Sequence, residues 1–424
     1  STKNLAINGG EKTIKKDFKR YNPIGKEEVE AAKSVIETGL LSGYVARWGQ
    51  HFYGGPKVKE FERMWEDYFD VKYAITVNSW TSGLIAAVGA IGIEPGDEVI
   101  VPTWTMCATA TSVLHWNGIP VFADIEEDTF CISPESIEKN ISENTKAIIS
   151  VDIGGHPANT YEINKIAQKY NLKVISDTAQ SPRALDRGRF AGTLTDIGGF
   201  SLNCHKHIHT GEGGVLVTNN DELAQKMYLI RNHAEASVAD MNIQNISNMV
   251  GHNFRLGEIE CAIGIEQLKK LHFLVDSRIK AANKLKNGLC KLPGLKTPIL
   301  KEGYTHSYYV FFMTIDEKIT KKSRDKIYDA LLAEGVKGLQ KKYSNLHLLP
   351  QYQNKIAYGK NGFPWNSEYC KREISYEKGI CPVAEKLNDK TYLGFEMCLF
   401  ELLDEDIENI IKSFCKVWSN LEEL

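Results

Sequence analysis

Two stretches decide the fold prediction: KVISDTAQS, residues 173–181, and SLNCHKHIHTGEGG, residues 201–214. The first is an apolar run that ends in the carboxylate of Asp177, a pattern typical of a buried strand with a polar residue at its end. The second carries Lys206 in a polar hairpin closed by glycines. A lysine amine and a carboxylate so placed are what pyridoxal phosphate chemistry needs. The amine forms a Schiff base with the cofactor aldehyde, and the acid keeps the pyridine nitrogen protonated.

Further short apolar runs alternate with helical patterns along the first 220 residues. This rhythm predicts an α/β fold with a mainly parallel sheet covered by helices on both faces. The binding sites of such sheets lie beyond the carboxyl ends of the strands. Asn78, Pro102 and Asp177 all fall at such ends.

The chain has 424 residues, more than a single core usually serves. We expect a large domain over residues 1–290 and a smaller α+β domain over residues 291–424. The turn-forming sequence LPGL, residues 292–295, marks the boundary. The N-terminal segment, residues 1 to about 25, is expected to add to the smaller domain.

Composition excludes several classes of protein. A formal net charge of −3 gives no basic field for nucleic acid, and no apolar run is long enough to span a bilayer. The nine cysteines have no repeated spacing, which predicts a reduced, cytoplasmic location. The lysine-rich N-terminus predicts no signal peptide. We therefore expect small-molecule partners, with no nucleic acid and no membrane.

Each candidate site residue also has an ordinary structural explanation. Lys206 alone would be a solvated surface charge, and Asp177 alone a helix cap. NSWTSG, residues 78–83, follows a strand and opens an apolar helix, so its amides either hold a phosphate or merely cap the helix. The pairing of Lys206 with Asp177 and the glycines around this lysine favour a chemical role for it.

A zinc site is a rival hypothesis for the same stretch. His205, His207 and His209 alternate, so in an extended strand all three would share one face. Neither a carboxylate nor a cysteine is placed as a convincing further ligand, so we predict no metal. Polar contacts around Lys206 are the alternative for these histidines. Basic side chains that are candidates to contact a substrate anion are Arg47, His51, Arg183, Arg187, Lys341 and Lys342.

The lysine stretch resembles the motif of the DegT/DnrJ/EryC1/StrS family of sugar aminotransferases. Other segments agree with that family in order along nearly the whole chain: GPKVKEFE, GDEVIVPTWT, ISDTAQS, GHNFRLGEIECAIGIEQL and CPVAEKL. The resemblance implies an aspartate-aminotransferase-like fold of type I and a homodimer with shared active sites. The chain departs from the family in a longer loop over residues 44–54, and in GFEMCLFEL, residues 394–402, where the family has a proline- and histidine-containing segment.

The resemblance also implies roles for individual residues. Lys206 would carry the cofactor, Asp177 would pair with the pyridine nitrogen, and Gln180 would lie near the ring hydroxyl. Met106 matches the family position whose side chain stacks on the cofactor ring, and Trp104 lies two residues earlier. His306 in THSYY matches a motif whose role stays open. The residues implied to hold the phosphate are Trp80, Thr81, Ser201 and, from the partner subunit, Asn253.

The expected activity is transfer of an amino group from glutamate or glutamine to a keto-sugar. The resemblance implies a nucleotide-linked sugar, and a smaller phosphorylated or cyclic ketone is an alternative. Two other functions stay open. One is a pyridoxal-phosphate-dependent sugar dehydratase, in which histidine replaces the lysine. The other is a regulatory protein that binds the cofactor without turnover.

Overall fold

A computed structural model describes residues 3–424 of the chain. Its first 220 residues contain nine strands: β1 Tyr73–Val77, β2 Glu98–Pro102, β3 Ile119–Ala123, β4 Thr145–Val151, β5 Lys173–Asp177, β6 Leu185–Asp186, β7 Arg189–Phe190, β8 Ile197–Ser201 and β9 Gly214–Thr218. Seven of them form one sheet in the order β1-β9-β8-β5-β4-β2-β3, and β6 pairs with β7 apart from it. Strand β9 runs antiparallel to both its neighbours, and the other strands of the large sheet share one direction. The predicted α/β fold with a mainly parallel sheet is confirmed.

Helices flank this sheet because most of the connections between its parallel strands are helical crossovers. Those up to residue 290 are α1 Lys26–Thr38, α2 Pro56–Phe69, α3 Trp80–Ala90, α4 Ala108–His115, α5 Pro134–Asn140, α6 Thr160–Tyr170, α7 Asp221–Arg231 and α8 Glu258–Leu289. Helix α3 is buried along most of its length, since its run of alanine, glycine and leucine leaves no polar face. Its first turn is thereby fixed at the edge of the sheet.

A second, four-stranded antiparallel sheet follows in the order β10-β11-β13-β12. Its strands are β10 Leu295–Lys296, β11 Val310–Ile315, β12 Leu339–Gln340 and β13 Tyr392–Glu396. The helices of this part are α9 Glu317–Thr320, α10 Arg324–Ala333, α11 Pro350–Gln353, α12 Pro382–Lys386 and α13 Asp404–Ser419.

Two hydrophobic cores bear on the predicted division at residue 290. Leu5, Ile14 and Phe18 pack with the small sheet and with α10 and α13, whereas the segment over residues 343–387 packs largely on the core of the large sheet. The division into residues 1–290 and 291–424 stays a prediction. Within residues 3–424, no helix combines the length and apolar character needed to cross a bilayer.

Helix α8 joins the two parts without a break over 32 residues. Cys261 to Val275 pack beside α2 under the large sheet, and Ala282 to Leu289 pack in the core of the small sheet. At 1.5 Å per residue the helix is about 48 Å long. It places the small sheet opposite the carboxyl ends of the large-sheet strands.

Candidate active site

The carboxyl ends of β1, β5 and β8 meet at one edge of the large sheet, as expected for strands that share a direction. Gly214, the first residue of β9, pairs with both Val77 and Ser201. Asp177 pairs with Gly199 one strand away. Residues that lie more than 100 positions apart in the chain therefore surround one small volume.

Asp177 is buried at the end of β5 and accepts two side-chain hydrogen bonds. Trp80 Nε1 donates to Oδ1 over 2.7 Å, and Thr109 Oγ1 donates to Oδ2 over 2.8 Å. Burial raises the pKa of Asp177, while these two donors and the Lys206 charge lower it. The carboxyl is therefore held in one orientation.

Two glycines explain how the Trp80 indole reaches Asp177. A Cβ atom on Gly199 would lie 1.9 Å from the indole ring, and one on Gly83 would lie 2.6 Å from it. Both are far inside van der Waals contact, so larger residues are excluded. The Trp80 side chain is thus directed to Asp177, and its role as a phosphate ligand, implied by the resemblance, stays a prediction for its backbone amide.

Lys206 lies in the turn between β8 and β9, and its side chain points toward the small sheet. Its Nζ lies 4.4 Å from the centre of the Tyr309 ring and donates to the Tyr309 hydroxyl over 3.4 Å. Burial lowers the pKa of Lys206, and the nearby Asp177 carboxyl opposes that shift. An amine with a lowered pKa is more often uncharged, and therefore nucleophilic, near neutral pH.

The first turn of α3 forms an anion cradle beside these two residues. Ser79 caps the helix by accepting from the Ser82 amide over 3.0 Å. Within residues 3–424, the amides of Trp80 and Thr81 meet no acceptor, and the Thr81 side chain is exposed. A Cβ atom on Gly214 would lie 2.8 Å from the Trp80 nitrogen, so glycine keeps this cradle open. Free amides at a helix start bind phosphate well.

Two further residues implied to hold phosphate lie at the same edge. Ser201 ends β8, and its Oγ accepts from the Asn203 amide over 3.1 Å. Asn253 is exposed, and its carbonyl accepts from the Asn78 side chain of the same chain over 3.3 Å. Its side-chain oxygen accepts from Arg255 Nε over 2.8 Å.

Gln180 connects the large-sheet edge to the segment that follows β12. Its Oε1 accepts from the Gly154 amide over 2.7 Å, and its Nε2 donates to the Tyr343 hydroxyl over 3.1 Å. Burial raises the pKa of Tyr343 to about 12, and Asp177 is among the charges that add to this rise. Tyr343 therefore offers a neutral hydroxyl beside the candidate cofactor-binding residues.

The Tyr343 backbone is fixed by a single side chain. Asn388 Oδ1 accepts from the Tyr343 amide and from Trp104 Nε1, both over 2.9 Å, while its Nδ2 donates to the Tyr343 carbonyl. Trp104 is fully buried against Phe130 and Tyr343, whereas Met106 is 52% exposed at the start of α4. Met106 is the more accessible of the two side chains.

A second buried carboxyl, Asp152, lies behind Asp177. Its amide donates to the Asp177 carbonyl, and its two oxygens accept from the Ala158 amide over 2.7 Å and from Thr178 Oγ1 over 2.8 Å. Burial raises the pKa of Asp152 to about 7. Its contacts are with the backbone that supports the site.

The three alternating histidines do not converge. His207 is buried, with Nε2 2.7 Å from the Ser307 carbonyl oxygen, His209 Nδ1 accepts from the Gly211 amide, and His205 is exposed. The segment is a series of turns, so they share no strand face. Across residues 3–424, no group of three or more histidine, cysteine or acidic side chains has metal-binding geometry.

The proposed anion contacts have mixed surroundings. Arg183 Nε donates to the Tyr68 hydroxyl, Arg187 lies over the rings of Tyr161 and Tyr304, and Lys341 lies 3.7 Å from Asp325. Arg47, His51 and Lys342 are exposed. His306 is buried and stacks on Tyr308, with ring centres 3.9 Å apart, so it supports the turn before β11.

Three residues that border the site were not predicted from the sequence: Thr109, Tyr309 and Tyr343. Thr109 lies three residues beyond Met106 in helix α4, where it is one of several small polar residues and nothing local distinguishes it from Thr111 or Ser112. Tyr309 belongs to THSYY, where the histidine is the residue that matches a family motif. For Tyr343 no local pattern exists, because its position depends on Asn388, 45 residues later.

These features fit pyridoxal phosphate. The donor set offers an amine of lowered pKa, a buried carboxylate for a protonated ring nitrogen, and open helix amides for a phosphate. Gly199 leaves room for the Trp80 indole that orients the carboxylate, and Gly214 leaves the amide at the start of α3 uncovered.

Comparison with known proteins identifies the family. Residues 43–390 match the model of the DegT/DnrJ/EryC1/StrS aminotransferase family. The chain belongs to this family. It is a pyridoxal-phosphate-dependent aminotransferase of fold type I, as the resemblance implied.

Individual relatives agree with that assignment. GDP-perosamine synthase of Caulobacter vibrioides is 34% identical over 299 residues, which cover 70% of this chain and 79% of that protein. A Micromonospora echinospora protein, provisionally named L-glutamine:3-amino-2,3-dideoxy-scyllo-inosose aminotransferase, is 28% identical over 100% of this chain and 99% of its own length. The crystal structure of an aminotransferase from Psychrobacter cryohalolentis superposes with a TM-score of 0.80 at 26% identity, covering 96% of this chain and all of that one.

Proposed function

We propose that this aminotransferase moves an amino group from glutamate or glutamine to the keto group of a sugar or a related cyclic ketone. The observation that carries the proposal is the pairing of Lys206 with the hydrogen-bonded Asp177 beside an open helix start. Relatives named for GDP-perosamine synthesis and for an inosose aminotransferase support an acceptor that is a sugar or a cyclitol. The second name also supports glutamine as donor.

In this proposal Lys206 and Asp177 divide the acid–base work. When bound, pyridoxal phosphate supplies an aldehyde for the amine and a ring that delocalises electrons from the donor carbon. Lys206 Nζ would hold the cofactor covalently at rest, and as a free amine it would act as the base that takes the proton from the donor α-carbon. Asp177 keeps a proton on the ring nitrogen, and Trp80 with Thr109 keep Asp177 oriented.

The remaining site residues bind and orient. The amides of Trp80 and Thr81, with Ser201, would hold the phosphate, and Gln180 would bind the ring hydroxyl. Met106, half exposed beside them, would be available to cover one face of the ring. We further propose a homodimer in which Asn253 of the partner subunit completes the phosphate site. The exposure of Asn253 leaves it available for a subunit contact.

Two features favour transfer over the alternatives. A dehydratase of this family has histidine in place of the lysine, and here the lysine is present at residue 206, while neighbouring His207 faces the Ser307 carbonyl. A regulatory protein needs no nucleophile of lowered pKa. The predicted cytoplasmic location stays a prediction.

The test is a half-reaction with each donor alone. Protein saturated with pyridoxal phosphate is mixed with L-glutamate or L-glutamine, and both the cofactor absorbance and the released 2-oxo acid are measured. We expect loss of the aldehyde-form absorbance and one equivalent of oxo acid per site. A bound chromophore that no amino acid changes would instead establish a regulatory protein. Water loss from a keto-sugar without amine incorporation would establish a dehydratase.

A further inference from the structure

Glu396 is a half-buried carboxylate without a cationic partner at the end of β13. Within residues 3–424, no lysine, arginine or histidine nitrogen lies within 4.0 Å of its oxygens; the nearby Glu401, by contrast, pairs with Lys19 over 3.0 Å. A partly buried charge of this kind needs hydrogen-bond donors. The surroundings of Glu396 show where they would come from.

Strand alternation directs Glu396 toward the large sheet. In β13, Leu393 and Phe395 face the core of the small sheet, so Tyr392 and Glu396 lie on the opposite face. Tyr392 on that face packs against Trp104 of the large-sheet core. Glu396 therefore extends from the side of the small sheet that faces Lys206.

Gln340, on the neighbouring strand β12, has the same orientation. Its Oε1 accepts from the Tyr392 hydroxyl over 2.8 Å, which leaves its amide nitrogen to donate toward Glu396. Glu396 is also close enough to the site to add to the burial that raises the pKa of Tyr309 and of Tyr343. We name Gln340, Tyr343 and Glu396 the small-sheet cluster.

The chemistry of this cluster is specific. It offers a carboxyl group, an amide and a neutral hydroxyl on the face of the small sheet that is directed at the large sheet. Burial raises the pKa of Glu396, while Gln340 and the nearby His205 lower it. A carboxylate or phosphate of a substrate would be repelled there. Ring hydroxyls or a ring ammonium would each donate to Glu396, and charge-assisted bonds of this type are the stronger ones.

We propose that Glu396 is a specificity-determining residue that binds hydrogen-bond donors on a polyhydroxylated ring, with Gln340 and Tyr343 beside it. This inference rests on the transamination proposed above and assigns the acceptor class: a ring polyol ketone with donors, and no acidic group, on the side that faces the small sheet. A free cyclitol and the sugar ring of a nucleotide conjugate share this chemistry.

The experiment measures the half-reaction in the amine-to-cofactor direction by absorbance. Amines tested on the wild-type holoenzyme are L-glutamate, the aminoinositol scyllo-inosamine with its monodeoxy analogues, and a nucleotide-linked aminodeoxyhexose. Variants are Glu396→Gln, which keeps the shape and removes the charge, and Glu405→Gln, a matched control at an exposed residue of α13. The two ring amines distinguish a free cyclitol from a nucleotide conjugate.

We expect Glu396→Gln to lower kcat/KM for the reacting ring amine about 10- to 100-fold, mainly through KM. The value for L-glutamate should be unchanged or raised, and Glu405→Gln should change neither. With the monodeoxy amine that lacks the hydroxyl bound by Glu396, Glu396→Gln should change kcat/KM very little. The substitution and the missing hydroxyl then remove the same contact.

Several results would overturn the proposal. Equal loss with L-glutamate and with the ring amine would make Glu396 a general structural residue, and no loss with either would remove it from the site. Wild-type reaction with L-glutamate but with no ring amine would refute the acceptor class alone. Failure of L-glutamate and L-glutamine as well would refute the proposed function itself.

Discussion

The two sides of the site differ in how their polar groups are satisfied. On the large-sheet side, Trp80, Thr109, Asp177 and Lys206, which we name the large-sheet cluster, hold one another through direct bonds and charges. On the small-sheet side, Glu396 lies half-buried, and it has no ion pair within 4.0 Å in the part of the chain that the structure describes. The difference indicates a division of labour: the first cluster is preorganised for the cofactor chemistry, and the second is left open for a ligand.

The strongest test of that division is removal of the amine. Lys206→Ala should lower the rate of the L-glutamate half-reaction by about 10⁴-fold, because nothing else in the large-sheet cluster moves a proton there. The measurement is single-turnover absorbance, with borohydride reduction and peptide mass mapping to locate the attached cofactor. Lys226→Ala, which removes another buried lysine paired with Glu222, is the control. Equal cofactor attachment in Lys206→Ala would contradict the assignment.

The anchor of the small-sheet cluster can be broken separately. Asn388→Leu leaves the Trp104 indole and the Tyr343 backbone without their buried partners, which should cost about 3 kcal/mol in the free energy of unfolding. It should also slow the ring-amine half-reaction about 10-fold or more, with less effect on L-glutamate. Denaturant unfolding and the two half-reactions measure this. Asn164→Leu, which removes one bond to the Leu194 carbonyl, is the comparison variant, and parallel losses for both amines would contradict separate roles.

The orientation of Asp177 gives a pH-dependent prediction. Its carboxylate form is the active one, so activity falls as pH drops through its pKa, which burial already raises. Trp80→Phe removes a donor that lowers this pKa, so the acid limb of the pH profile should move to higher pH, with about a 10-fold loss of rate at neutral pH. Trp116→Phe, which removes an indole bond to the Ile85 carbonyl, should leave the profile in place. An unmoved acid limb in Trp80→Phe would show that the indole bond does not tune Asp177.

The smallest effect concerns the support behind the large-sheet cluster. Burial raises the pKa of Asp152 to about 7, so between pH of about 4 and 7 the unfolded chain is ionised at this group and the folded chain is not. Its contribution therefore lowers stability as pH rises through this window. Asp152→Asn should flatten the fall in melting temperature from pH 5 to pH 8, whereas Asp240→Asn, at an exposed residue, should not. Identical slopes in all three proteins would contradict the shift.

The two clusters also differ in how far the sequence predicts them. Lys206 and Asp177 were predictable because each lies in a local pattern, a strand end or a glycine-bounded turn. The direction of the Trp80 side chain was not, since it depends on space above Gly199 in a strand 119 residues later. Glu396 and Tyr343 had no local pattern, because their positions follow from the pairing of β12 with β13 and from Asn388.

Helix α8 has a mechanical consequence for the two clusters. It is anchored at one end under the large sheet and at the other in the core of the small sheet, with no break over 32 residues. If one sheet slid past the other, one end of α8 would lose its packing contacts. Any tightening of the cleft around a substrate must therefore bend this helix near residues 275–282, and a proline placed there would kink the helix and alter the spacing of the two clusters.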